Sequence, residues 1–263
     1  MSPQFWHSVW LHWTWSAVIV GFIVLAVYIA FIGPYRHKIP ASRPVPGGIW
    51  IYFVLGMLVY LIAFASPIDY LGDVYSFSAH MVQHMLEVSV MVPLMILGLP
   101  DWLVSWGLKW RPLYRLMKLG TQPAVAILGF DVIFDGFHFP VLYDLTLTND
   151  VFHVVEHLLF FVGAWMVWWL ILSRNTEIPR LTPGWRLLFI FFAFDGMMPP
   201  AILIFMWNSP LYWPYERVPH IFGFGPVTDQ HIGSLIMMGF MVVSYGWAAL
   251  SAFLQYDMGE WYE

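Results

Sequence analysis

The sequence predicts an all-α integral membrane protein, a seven-transmembrane-helix bundle with its N-terminus outside and its C-terminus cytoplasmic. Three observations predict it. The chain is 60% hydrophobic and only 10% charged, where a soluble domain carries about 25% charged residues; a soluble protein this apolar would have no polar coat. Seven apolar segments reach the length needed to cross the hydrocarbon, about 20 residues each. The basic residues between them collect on one side, as expected for cytoplasmic loops.

The segments run over roughly 14–33, 49–66, 77–99, 121–139, 151–173, 185–206 and 231–254. Turn residues punctuate them: Gly33-Pro34, Pro67, Gly98 to Pro100, Pro140, Thr182-Pro183 and Ser209-Pro210. No basic region or small-residue cleavage site precedes the first segment, so it does not read as a removable signal peptide. Segments two and four are short or interrupted. No repeat or linker stands out, and residues 1–263 read as a single helical membrane domain.

Orientation follows from charge. Arg36, Lys38 and Arg43 lie between segments one and two; Lys109, Arg111, Arg115 and Lys118 between three and four; Arg174, Arg180 and Arg186 around the connection of five and six. Only Arg217 falls on the other side. The stretch 101–118, DWLVSWGLKWRPLYRLMK, mixes aromatic and basic residues and reads as lying flat at the inner interface. A net charge of −5 offers no basic field for nucleic acid. Cysteine is absent, which removes disulfides, thiolate zinc sites and iron–sulfur clusters.

Nine of the ten histidines gather at the outer ends of the segments on this map. His7 and His12 sit among tryptophans and read as interfacial; His220 and the cytoplasmic His37 are in loops. The pairs are different. SAHMVQHMLE places His80 and His84 four residues apart with Glu87 three later, all on one helix face. His153 and His157 repeat the spacing on segment five, with Glu156 between them. HxxxH aims two imidazoles at one point, and ionisable groups in a bilayer tend to face a bundle interior or cavity. His138 ends segment four and His231 opens segment seven at the same depth. Glu87, Glu156, Asp135, Asp229 and Gln230 are candidates to orient these imidazoles or to ligate directly, since a ligating imidazole commonly donates its second N–H to a carboxylate. Imidazoles with carboxylates suit zinc, copper, iron or nickel. Met81, Met85, Met197 and Met198 are candidate transient ligands and tilt the choice toward Cu(I).

These residues resemble a known family. SAHMVQHMLEVSVMVPLMILGLP is similar to the signature of the CtaG family of membrane proteins, associated with cytochrome c oxidase assembly. HFPVLYDLTLTNDVFHVVEHLLFFVGAWMVWW resembles its second block and DQHIGSLIMM its third, so the resemblance spans roughly 75–255. Its motif positions fall on His80, His84, His138, His153, Glu156, His157, Asp229 and Gln230. Glu87 stands where the family pattern is usually apolar, and His231 and Ser234 interrupt the third block. The resemblance implies a seven-helix, copper-related protein of a prokaryotic plasma membrane. It would be an assembly factor or metallochaperone rather than an enzyme, with its metal site on the extracytoplasmic side. Haem–copper oxidase subunits would be its partners, transient or stable, within the lipid bilayer. The rival readings are an intramembrane zinc hydrolase, with Glu87 or Glu156 as base, and a bis-His haem protein exchanging electrons with quinol. Elemental analysis and a visible spectrum separate them.

Overall fold

The structure is a computed structural model that describes residues 2–46 and 48–257. Among these residues it is helical, without strands. Five helices are long and apolar enough to cross a membrane, or seven if each of two bent pairs counts as one span.

α1 (Pro3–Trp10) and α2 (Trp15–Ile32) together form the first apolar stretch. Much of α2 is uncovered, with Ile19, Phe22 and Ile23 all exposed, as befits a face turned to lipid. α3 (Ile49–Tyr60) widens into a π-type turn at Leu61–Ala65 and is followed by α4 (Pro67–Val74), bent by 43°. The expected end of segment two at residue 66 is therefore the bend. Ser66 accepts the Ile68 N–H at 3.2 Å, and Pro67 at the first helical position starts a new helix.

α5 (Phe77–Leu86) carries the first HxxxH pair and runs through a π-type turn at Glu87–Met91 into α6 (Val92–Leu97). Proline causes the widening. Val92 N–H bonds back to the Glu87 carbonyl, and Pro93 has no N–H to offer the Val88 carbonyl. The Trp168 indole supplies the missing donor at 2.8 Å. α7 (Asp101–Leu108) and α8 (Arg111–Gly120) hold the aromatic and basic stretch, and α8 meets α9 (Pro123–His138) at 80°. α10 (Pro140–Thr148) is a short connecting helix. α11 (Asp150–Leu172) carries the second HxxxH pair; Asn149 caps it, accepting the Val151 and Phe152 N–H groups at 3.0 and 3.3 Å.

α12 (Pro183–Gly196) and α13 (Met198–Met206) form one apolar stretch broken at Met197, just before Pro199-Pro200. α14 (Trp213–Glu216) is a single turn, and α15 (Pro226–Asp257) is the longest helix. α15 packs along α5, α12 and α13, while α9 and α6 flank α11. The helices enclose an aromatic and methionine core that includes Phe77, Phe130, Phe134, Phe160, Trp168 and Met81. The continuous stretch from α5 through α6 thus packs on α11 by its α6 end, and both stretches carry their histidines toward the N-terminal end.

Candidate metal centre

Four imidazoles meet between α5 and α11. The rings of His80 and His84 are 4.3 Å apart between centroids, those of His153 and His157 4.7 Å, and those of His84 and His157 4.9 Å. His157 Nε2 faces His153 Nε2 at 3.0 Å, while its Nδ1 lies 2.8 Å from Glu87 Oε2. Glu156 lies between the two histidines of α5: one oxygen is 3.7 Å from His84 Nε2 and the other 3.9 Å from His80 Nε2. Tyr143, Phe64 and Phe160 wall the cluster with ring contacts of 5.3, 4.9 and 4.7 Å.

The cluster is buried and unsatisfied. His80, His84 and Glu156 are all 0% exposed. Neither ring nitrogen of His80 or His84 and neither oxygen of Glu156 has a hydrogen-bond partner. Buried polar groups are paired in the great majority of cases, and leaving one unpaired costs about 1–3 kcal/mol. Two groups of side chains have donor atoms within 4.8 Å of one another: His80, His153, Glu156 and His157, and His84, Glu87 and His157. Imidazole and carboxylate donors at such separations can close on a first-row divalent or monovalent cation.

Asp73, which lies between the second and third apolar segments, joins the first group from α4. Its Oδ1 is 3.3 Å from His153 Nε2 and 3.4 Å from His80 Nδ1, and its side chain is 30% exposed against 18% for that of His153. Gly72 permits this approach, because a Cβ there would lie 2.9 Å from His80 Cα. Asp69, one turn earlier, accepts from Gln83 at 2.7 Å and from Thr14 at 2.8 Å, tying α4 to α5 and to the start of α2. Tyr215 donates to the Gly72 carbonyl at 2.7 Å and receives the Tyr143 hydroxyl at 3.0 Å. Burial pushes both phenols well above their ordinary range, so they stay neutral donors. The sequence signal for Asp73 was the run Pro67–Val74 between Ser66 and Ser76, a helix start and stop too short to read as a span.

The other candidates sit elsewhere. His138 is near, its ring 6.1 Å from that of His84, but it belongs to neither group: Nδ1 donates to the Phe134 carbonyl at 2.6 Å and Nε2 is unpartnered. With Asp135 it lines a cleft of about 490 Å³ walled by Pro199, Pro200, Leu203 and Trp207. His231 Nε2 meets the Trp207 carbonyl at 3.0 Å, away from the cluster. Asp229 caps α5, accepting the Phe77 and Ser78 N–H groups at 2.7 and 3.3 Å and the Ser76 and Ser78 hydroxyls at 3.0 and 2.5 Å. Gln230 accepts the Leu211 N–H at 3.0 Å and donates to the Ile204 and Trp207 carbonyls at 3.2 and 3.1 Å. Met81 and Met85 are buried in the core, Met81 beside Gly233 of α15. The Met197 sulfur accepts from the Tyr245 hydroxyl at 3.3 Å, and Met198 packs at the edge of the core.

Residues 26–257 match the family described as cytochrome c oxidase caa3 assembly factor (Caa3_CtaG). The chain belongs to that family. The match covers α3 to α15 and the C-terminal end of α2, and so every member of the cluster. No curated protein and no solved structure matches the chain. The family's role makes a cytochrome oxidase the partner and the membrane the setting.

Proposed function

We propose that this assembly factor holds copper in the α5–α11 cluster and passes it to a haem–copper oxidase during assembly. The observation that carries the reading is a set of imidazole and carboxylate donors, fully buried yet without hydrogen-bond partners. Copper is cargo here, so it must enter and leave by ligand exchange. Asp73 suits that step: it is 30% exposed and within 3.4 Å of both His80 and His153. The methionines at 81, 85, 197 and 198 enter the scheme only as transient thioether ligands on the way out.

In this reading both bent helix pairs count as spans, giving seven. Basic residues at 109–118 follow the end of α6 and those at 174–186 follow the end of α11, opposite the histidine ends of the same stretches. Basic loops stay cytoplasmic, which supports an outside N-terminus, an inside C-terminus and a cluster opening on the extracytoplasmic face of a prokaryotic plasma membrane. The protein then acts as a chaperone rather than an enzyme.

The test replaces the chain in its own cells by the His80→Ala/His157→Ala variant and measures copper in the purified oxidase. The expected result is an oxidase depleted in copper at normal levels of the variant. An oxidase with full copper content would overturn the reading.

A further inference from the structure

We infer that the cluster contains two adjoining cation positions that share the His157 ring, the deeper one built on Glu87. This rests on the copper-handling reading and adds the number and order of its positions.

His157 presents its two nitrogens to different neighbours. Nε2 faces His153 at 3.0 Å, and Nδ1 faces Glu87 at 2.8 Å. The two donor groups meet only at this residue: one adds His80, His153 and Glu156, the other His84 and Glu87. A single tetrahedral ion takes about four donors, and the first group alone supplies four. An ion there leaves His84 without a partner on either nitrogen while it is 0% exposed, and leaves Glu87 with one neighbour at 1% exposure. Structures seldom leave such groups unpaired, and a second ion pairs both. Glu156 stands between the positions with one oxygen toward each α5 histidine, at 3.7 and 3.9 Å.

The positions differ in access. Asp73 stands at the first and is partly exposed. Everything at the second is buried except the edge of His157. An ion therefore enters at the Asp73 side and reaches the Glu87 side past the His157 ring. When both positions are filled, each nitrogen of that ring carries an ion, and the second ion displaces the remaining ring proton to water. The backbone beside Glu87 is fixed to the same helix as His157, because Trp168 of α11 donates to the Val88 carbonyl at 2.8 Å. The Glu87–His157 approach is thus built into the packing of the two helices.

Purified full-length protein in detergent is dialysed to equilibrium against Cu(II), and copper per chain and the electron paramagnetic resonance intensity are measured together. Two ions per chain are expected, with a signal smaller than the copper content, because ions sharing one imidazolate couple magnetically. The isosteric Glu87→Gln, and separately His84→Ala, should each reduce binding to one ion per chain with full signal intensity. One ion in the wild type, unchanged by Glu87→Gln, would overturn the two-position inference and leave the copper-handling reading standing. Two ions retained by both variants would also overturn it. No copper in the wild type would remove both. A wild-type count of one or of none overturns the inference even if a variant fails to fold, and with two variants the failure of one leaves the other to test a count of two.

Discussion

Two sets of buried polar residues meet α5 within two turns of each other, and they could hardly be treated more differently. At its start, Asp229 accepts four hydrogen bonds from Ser76, Phe77 and Ser78, and Gln230 beside it makes three more. Further along, His80, His84 and Glu156 are as deeply buried and make none. Burial of polar groups alone therefore does not mark a binding site. Full pairing marks a structural anchor, and burial without pairing marks a place where a ligand completes the chemistry.

Substitutions can break that contrast. The largest expected effect is at the anchor: Asp229→Ala removes the acceptor of the Phe77 and Ser78 N–H groups and of two serine hydroxyls, destabilising the protein by about 3 kcal/mol. Chemical unfolding in detergent would show the midpoint fall. An unchanged midpoint would mean that the pairing at Asp229 carries no weight. In the cluster the sign should reverse. Glu156→Met replaces an unpaired buried carboxyl by an apolar chain of similar length, and the metal-free protein should gain about 1–2 kcal/mol while losing metal. A metal-free variant less stable than wild type would show that Glu156 is already satisfied. A smaller loss, about 1 kcal/mol, is expected for Trp168→Phe, which leaves the Val88 carbonyl beside Pro93 without its donor. Its unfolding midpoint checks this.

The smallest effect concerns Asp144 on α10, outside the spanning helices. Burial, with Glu216 nearby, pushes its carboxyl up to about 6. A raised carboxyl binds its proton more readily in the folded than in the unfolded state. Its unfavourable contribution therefore grows as pH rises from about 4 to about 6 and is constant above. Asp144→Asn should raise the melting temperature slightly at pH 7 and lose that advantage toward pH 4. A difference that does not change with pH would rule out this origin.

Much of this could be read from the sequence, for physical reasons. Apolar length and the punctuating Gly and Pro residues located the helical stretches to within a few residues at 77–97 and 150–172. HxxxH spacing placed each pair on one face, because a helix returns every 3.6 residues. What pattern could not carry was the contact between helices. Asp73 sits seven residues before His80 and reaches it only because the chain turns at Tyr75–Ser76 to pack α5 on α4, and Gly72 lets the backbones close. Asp229 and His231 are adjacent in depth to the cluster, yet one turns to the α5 N-terminus and the other to the Trp207 carbonyl. Depth along a helix is a one-dimensional property of sequence, whereas the direction a side chain faces depends on its neighbours. Glu87 illustrates both: its face was predictable, and its pairing with His157 was not.

The account depends most on the cluster acting as a cation site, and copper binding with thermal unfolding of the purified protein tests that directly. Wild type should retain copper through gel filtration and unfold at a higher temperature when loaded, by the equivalent of about 3 kcal/mol at a hundredfold excess over Kd. The His80→Ala/His157→Ala protein should retain none and show no shift. Equal copper and an equal shift in both proteins would contradict the account.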